Sequence, residues 1–110
     1  MDCVFCKMIK GDINVKKEYD DEKFMIIKDI EPKAKLHYLV IPKKHYKLIK
    51  DMNDQDRDDF NYILKKLPTL VDRLGLTDGF RIIINQGDDA NQTVPHLHIH
   101  LLGGQKLSEF

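Results

Sequence analysis

Three histidines alternate with apolar residues in the segment His96-Leu97-His98-Ile99-His100. In an extended strand this spacing puts all three imidazoles on one face, with neighbouring residues of that face roughly 6–7 Å apart. A polar solvent face is the simplest explanation, but Lys, Thr or Glu would serve it equally well. The pattern instead favours one of two chemistries. Imidazoles at this spacing can share a metal ion, or one of them can attack phosphorus with help from the others.

The segment before the histidines is rich in groups that donate hydrogen bonds. Residues 85–95 read Asn-Gln-Gly-Asp-Asp-Ala-Asn-Gln-Thr-Val-Pro. Amide side chains, a hydroxyl and the backbone N–H groups of such a loop can bind an anion. Ordinary turns use the same residue types, so the loop alone is weak support. Beside three imidazoles it predicts a phosphate site.

Both cysteines of the chain lie in Cys3-Val4-Phe5-Cys6. From the residues alone this motif is ambiguous. A redox pair of the thioredoxin type would follow a strand in a βαβ unit, which the start of this chain does not offer. A tetrahedral zinc site needs two further ligands, and two free thiols packed as small hydrophobes are the remaining alternative.

Apolar periodicity predicts the elements that carry these groups. A long amphipathic helix is expected over residues 54–74, with Asn53 as its N-cap, Pro68 as a kink or loose point and Gly75 as its stop. A short helix is expected over 4–9. Strands are expected over 23–28, 36–41, 80–85 and 96–102, with a weaker one over 15–19. Strands that do not alternate regularly with helices favour an α+β fold with a mainly antiparallel sheet.

Composition limits the class of protein. The 110 residues suit a single domain over 1–110, and 18 basic against 18 acidic residues provide no basic footprint for nucleic acid. No apolar run is long enough to span a membrane, and no export signal opens the chain. We therefore expect a soluble protein of the cytoplasm, with no nucleic-acid or membrane partner.

The chain resembles the histidine triad (HIT) nucleotide-binding proteins. Residues 96–102 are similar to the signature His-φ-His-φ-His-φ-φ, where φ is apolar. Residues 29–32, 37–45, 80–87 and 103–104 are similar to further motifs of the family in the same order. The resemblance covers nearly the whole chain and is strongest to the small branch that includes purine nucleoside phosphoramidases.

This resemblance implies a homodimer of subunits with a five-stranded mainly antiparallel sheet, one long helix and one short helix. It also implies a reaction at the α-phosphorus of a purine nucleotide or nucleoside phosphoramidate. His98 would be the nucleophile, and His100 would hydrogen-bond a phosphate oxygen or the leaving group. His96 would orient His98, partly through its carbonyl, and His37 would support the triad from the neighbouring strand.

The resemblance also implies the groups that bind the nucleotide. Asn85 and Thr93 match positions that contact phosphate, and Asp29 matches a carboxylate that accepts the ribose hydroxyls. From the residues alone, Asp29 is equally compatible with an Asx turn before Pro32. The remaining matches form an apolar nucleobase pocket, although plain core packing would use the same residue types: Val4, Phe5, Met8, Ile27, Ile30 and Leu39.

Some members of this family carry the cysteine motif together with two histidines, here His45 and His96. The resemblance therefore implies a structural zinc bound by Cys3, Cys6, His45 and His96, and no organic cofactor. Zinc on His96 would compete with a catalytic role for that residue.

Three rival functions stay open. A dinucleoside polyphosphate hydrolase would use the same His98. A nucleotide- or zinc-binding interaction module would not be catalytic, and a zinc hydrolase would use the three triad histidines as ligands.

Overall fold

The computed structural model describes residues 3–110. Two α-helices, α1 (Val4–Lys10) and α2 (Asp54–Leu70), are present in this part of the chain, with two 3-10 turns at Ile49–Asp51 and Asp88–Ala90. The short helix and the long helix both occur where the sequence predicts them. None of the helices described over residues 3–110 is long and apolar enough to cross a membrane.

Five strands form one sheet in the order β1-β2-β3-β5-β4, and every neighbouring pair is antiparallel. The predicted α+β fold with a five-stranded antiparallel sheet is therefore confirmed. The central strand β3 carries His37 and pairs with β5, which carries His100; in this register Leu39 lies opposite His100. The strands span β1 (Tyr19–Asp20), β2 (Phe24–Lys28), β3 (Leu36–Pro42), β4 (Phe80–Ile83) and β5 (Ile99–Gly103).

The sheet buries both of its faces. Tyr38 and Val40 pack with Ile63 and Leu67 of α2 on one side, while Leu39 and Ile41 pack with α1 on the other. Because both faces are covered, β2 and β3 are nearly continuous apolar runs rather than alternating ones.

Helix α2 begins as predicted and ends early. The Asn53 side chain accepts a hydrogen bond from the Asp56 N–H, and the Asp56 carboxylate accepts one from the Asn53 N–H, which forms a capping box. The α-helix ends at Leu70, two residues after Pro68, and not at Leu74. The chain continues in a hydrogen-bonded turn to Gly75, whose φ of 76° suits glycine.

Three strand predictions are too long. The predicted strand over 15–19 is reduced to Tyr19–Asp20, and β4 ends at Ile83 rather than at residue 85. Strand β5 begins only at Ile99, so His96 and His98 precede the regular ladder. The carbonyl of His96 accepts a hydrogen bond from the His98 ring, and pairing with β3 starts at Ile99 opposite Val40.

Candidate functional site

A cleft of about 610 Å³ opens between α1, the ends of β2 and β3, and the loop before β5. Three of the four predicted catalytic histidines line it, namely His37, His98 and His100. His96 lies behind them and is fully buried. All nine residues predicted to bind the nucleotide also line the cleft: Val4, Phe5, Met8, Ile27, Asp29, Ile30, Leu39, Asn85 and Thr93.

The ring of His98 is fixed by the backbone of the chain. Its Nδ1 lies 2.8 Å from the carbonyl oxygen of His96, and the side chain is only 8% exposed. A carbonyl can only accept, so Nδ1 must carry the proton. A neutral His98 then keeps its lone pair on Nε2, and the residue lines the cleft. Phe5 packs edge-on against the ring at 5.1 Å between centroids.

A second chain of hydrogen bonds fixes His100. The Lys33 backbone N–H donates to His37 Nδ1 at 3.1 Å, so a neutral His37 carries its proton on Nε2. That Nε2 lies 2.9 Å from His100 Nδ1 and donates to it. His100 must then carry its own proton on Nε2, the one ring nitrogen left to face a ligand. The sequence alone did not reveal this role of the Lys33 N–H.

The surroundings of His37 and His100 favour the neutral forms of these two rings. Burial and the nearby His98 and His37 lower the pKa of His100 to about 4. Burial also lowers the pKa of His37, although the Asp29 carboxylate opposes this shift. At neutral pH the pair therefore remains uncharged, which preserves the hydrogen-bond directions described above.

Asp29 directly follows β2, and both of its carboxylate oxygens contact other groups of the chain. Oδ1 accepts a hydrogen bond from the Glu31 N–H at 2.8 Å, which is the Asx turn considered from the sequence, and Oδ2 lies 3.4 Å from His37 Nε2. Asp29, His37 and His100 are close enough to share a metal ion. A metal on His37 Nε2 would force the proton onto Nδ1, where it would oppose the Lys33 N–H, so the hydrogen bonds disfavour this use.

The cysteines form a second cluster with His45 and His96. These four residues each offer a ligand atom, and the four atoms all lie within 4.8 Å of one another. His96 Nδ1 is 3.5 Å from Cys3 Sγ and 3.6 Å from Cys6 Sγ, while His45 Nδ1 is 3.3 Å from Cys6 Sγ and 3.1 Å from His96 Nδ1. Zn–N bonds of about 2.0–2.1 Å and Zn–S bonds of about 2.3 Å give a tetrahedron with edges of about 3.3–3.8 Å. The cluster therefore fits a tetrahedral ion with small adjustments.

The protonation of the cluster also suits a metal. His96 Nε2 lies 2.8 Å from the Pro42 carbonyl and donates to it, so the Nδ1 lone pair faces the cysteines. Burial lowers the pKa of His96 to about 4. Burial and the Cys3 side chain raise the pKa of the Cys6 thiol, a shift that a bound cation would reverse.

The triad histidines therefore divide between two sites. His96 joins the cysteine cluster, whereas His98 and His100 line the cleft. A zinc hydrolase with all three as ligands needs ring nitrogens that converge on one point. Instead, Nδ1 of His98 faces a carbonyl and Nδ1 of His100 faces His37.

The cleft also has lining residues that the sequence did not single out. Asn91 has a left-handed backbone with φ of 60°, which asparagine tolerates better than most residues, and it lines the cleft beside Thr93 and Val94. Lys28, Glu31 and Lys33 supply charges around the cleft. An asparagine in a glycine-containing loop is a sequence signal that could have identified Asn91. The hydrogen bond from the Lys33 backbone N–H has no such signal in the sequence.

Comparison with known proteins places this geometry in a family. The sequence profile of the HIT domain matches residues 10–107. A HIT family hydrolase from Clostridium thermocellum is 41% identical, with 99% of this chain and 96% of that chain covered and a TM-score of 0.91. A histidine triad protein from Clostridium difficile is 40% identical, with 100% and 96% covered and a TM-score of 0.92.

A zinc-bound histidine triad family protein from Mycobacterium smegmatis is 38% identical, with 98% of this chain and 81% of that chain covered and a TM-score of 0.79. The chain thus belongs to the HIT family, as the sequence resemblance indicated. Its structural neighbours include hydrolases and a zinc-bound protein, and its own residues form both a histidine-lined cleft and a cluster compatible with zinc.

Proposed function

We propose that the protein hydrolyses purine nucleoside phosphoramidates at the α-phosphorus through a nucleotidyl intermediate on His98. The observation that carries this proposal is the hydrogen bond from His98 Nδ1 to the His96 carbonyl. This bond leaves the lone pair of His98 on Nε2, away from the backbone. His98 lines the cleft, whose wall is apolar and whose rim is rich in amide side chains. An imidazole in this state is a competent nucleophile near neutral pH.

The reaction proceeds in two displacements. His98 Nε2 forms a bond to the α-phosphorus, and the bond from phosphorus to the amine breaks with its electron pair on the amine nitrogen. Water then attacks phosphorus and releases His98 together with the nucleoside monophosphate. The amine takes up one proton from solvent as it departs, and the attacking water returns one proton to solvent when its hydroxyl bonds to phosphorus, so that overall water supplies the hydroxyl to phosphorus and one proton to the amine. A covalent intermediate divides a difficult hydrolysis into two easier steps.

Hydrogen-bond donors meet the charge on the phosphate. The Nε2–H of His100 is directed by the His37 contact and stabilises a phosphate oxygen or the leaving group. Asn85 and Thr93 supply neutral donors from the rim of the cleft. Because these groups are uncharged, their contribution is directional and depends on how firmly the loop holds them.

The nucleoside occupies the apolar end of the cleft. Phe5, Ile27 and Leu39 are buried there and offer a surface for a purine ring. Asp29 would accept the ribose hydroxyls, since each carboxylate oxygen has a second lone pair beyond its contacts with Glu31 and His37. The Asx turn and the ribose role are therefore compatible.

Zinc is proposed as a structural ion held by Cys3, Cys6, His45 and His96. When bound, it would cross-link the start of α1 to the segments that follow β3 and precede β5, and it would take no part in bond breaking. Phe5 lies between the two cysteines on α1 and packs against both His96 and His98. The cross-link would hold this side chain in the wall of the cleft.

We also propose that two chains form a homodimer. Strand β4 is an edge of the sheet, and its residues Ile82 and Ile83 are exposed at 44% and 36%. An edge strand that exposes apolar side chains is suited to pairing with a second copy.

The test is an assay of an adenosine phosphoramidate in parallel with a dinucleoside polyphosphate. Turnover of the phosphoramidate is expected, together with an acid-labile adenylyl adduct on His98. His98→Ala should abolish turnover and leave AMP binding largely intact, and His98→Asn should do the same with less disturbance of the cleft. Preferred turnover of the polyphosphate would indicate the rival hydrolase. Nucleotide binding with no turnover would indicate a binding module, and an adduct on another residue would refute the assigned nucleophile.

A further inference from the structure

The loop that joins β4 to β5 is long for a connection between adjacent antiparallel strands. It spans residues 84–98 and contains only one short 3-10 turn, Asp88–Ala90. It carries Asn85, Asn91 and Thr93 to the rim of the cleft. A loop of this length holds a defined shape only if its backbone is tied down.

Gln92 ties the loop both to itself and to another part of the chain. Its Oε1 accepts a hydrogen bond from the Gly87 N–H at 2.8 Å, and its own N–H donates to the Gly87 carbonyl at 3.1 Å. Its Nε2 donates to the Lys47 carbonyl at 3.0 Å. Both ends of the carboxamide are therefore engaged, and Gln92 is absent from the cleft lining although Asn91 and Thr93 on either side belong to it.

A second glutamine makes an equivalent tie to the same segment. Gln86 Oε1 accepts a hydrogen bond from the Ile49 N–H at 2.7 Å. The loop residue Leu97 also donates to the Tyr46 carbonyl at 2.8 Å. Residues 46–49 thus hydrogen-bond to the loop at three points, namely Gln86, Gln92 and Leu97. This segment is itself held, because Tyr46 is buried and the Lys44 Nζ lies 2.7 Å from the buried Asp56 carboxylate of α2.

From these contacts we infer that Gln92, assisted by Gln86, is a positioning residue for phosphate. It does not touch the substrate. Its two-ended hydrogen bonding holds the loop in the form in which Asn91 and Thr93 face the phosphate of a bound nucleotide. The inference rests on the proposed function, since it assumes that a nucleotide phosphate binds at this rim.

The expected effect follows from the population of the binding form. If the untethered loop adopts that form about a tenth of the time, the apparent affinity for the phosphate falls about tenfold. The nucleoside part of the ligand contacts α1, β2 and β3 rather than the loop, so its own contribution should not change. The ratio of AMP affinity to adenosine affinity therefore separates positioning of the phosphate from a general structural role.

The experiment measures binding of AMP and of adenosine to the full chain by titration calorimetry. Gln92→Met keeps the length and most of the volume of the side chain but removes both of its hydrogen bonds. Gln86→Met removes the bond from the Ile49 N–H and the bond to the Asn85 carbonyl. The matched control is Gln55→Met, because Gln55 is exposed on α2 and bonds only to Asp59 within the described contacts. Hydrogen exchange of the loop amides, including Gly87 and Gln92, reports the tether directly.

Gln92→Met is expected to weaken AMP binding about 5- to 20-fold, with adenosine binding changed less than about twofold and with faster exchange in the loop. Gln86→Met should shift AMP binding in the same direction, and Gln55→Met should shift neither ligand. Unchanged AMP binding in Gln92→Met, or equal losses for AMP and adenosine, would overturn the inference. If the wild-type protein binds neither AMP nor adenosine, the proposed function is refuted, and the inference, which rests on it, is refuted as well.

Discussion

Replacing His37 by alanine tests the hydrogen-bond chain that directs His100. In the native protein the Lys33 N–H fixes the proton of His37 on Nε2, and that proton is donated to His100 Nδ1 at 2.9 Å. Without His37, the His100 ring is free to place its proton on Nδ1. The lone pair of Nε2 would then face the phosphate oxygens or the leaving group and repel them.

The size of the effect follows from the burial of the pair. His37 is 4% exposed, so a His100 Nδ1 deprived of its donor loses a buried hydrogen bond worth roughly 1–3 kcal/mol. Each 1.4 kcal/mol corresponds to a factor of ten, so the productive tautomer becomes about 5- to 150-fold less favoured. We expect kcat/KM for an alkylamine phosphoramidate to fall, with this factor as the upper limit, because the rate follows the fraction of His100 in the productive tautomer.

The assay compares two leaving groups and two substitutions. An alkylamine departs poorly and needs the hydrogen bond from His100, whereas p-nitrophenolate on an AMP ester departs readily and needs it less. His37→Ala should therefore reduce hydrolysis of the phosphoramidate more than hydrolysis of the ester. His37→Gln keeps an N–H donor at the end of the side chain and should recover part of the lost rate.

The reasoning would be refuted by equal losses in His37→Ala and His37→Gln, or by a loss that is the same for both leaving groups. Thermal unfolding of each variant provides the control. A variant that shows no thermal unfolding transition is not folded, and its loss of activity does not report on the hydrogen bond. In that case the ratio of the rates for the two substrates in His37→Gln tests the prediction.

Three further predictions concern the metal, acid stability and assembly. Protein purified without chelators should contain about one zinc per chain, and Cys3→Ser should release it and lower Tm by roughly 10 °C; metal analysis that finds no zinc would exclude the site. Because the pKa of His100 is lowered to about 4 and that of His37 is also lowered, the unfolded chain binds protons that the native state does not. Stability should therefore be full above about pH 6.5. As the pH falls towards 4, His100 should remove up to about 1.4 kcal/mol per pH unit and His37 should add to the loss, so urea titrations should show a shallower loss in His100→Asn. Light scattering at micromolar concentration should give the mass of a dimer, and Ile82→Glu should shift it towards the monomer; a wild-type monomer would refute this assembly.

Local patterns determined most of the secondary structure. The periodicity of α2 and the Asn53 cap are properties of neighbouring residues, and both occur as the sequence predicts. The ends of elements were less predictable, because they depend on distant contacts. Strand β5 begins at Ile99, where its pairing with β3 begins opposite Val40, and not at the first histidine of the alternating pattern.

The sequence by itself also predicted which residues carry the chemistry, since alternation and the family motifs single out the histidines and the cysteine motif. Only the tertiary structure decided which of them act together. His96 lies 93 residues from Cys3 in the chain, yet their ligand atoms are 3.5 Å apart, so His96 joins the cysteines while His98 and His100 face the cleft. Backbone groups decided the protonation of three rings: the Lys33 N–H for His37, the Pro42 carbonyl for His96 and the His96 carbonyl for His98. Every residue except proline has the same backbone N–H and C=O, so no sequence pattern marks the ones that fix an imidazole; packing alone brings them within hydrogen-bond distance.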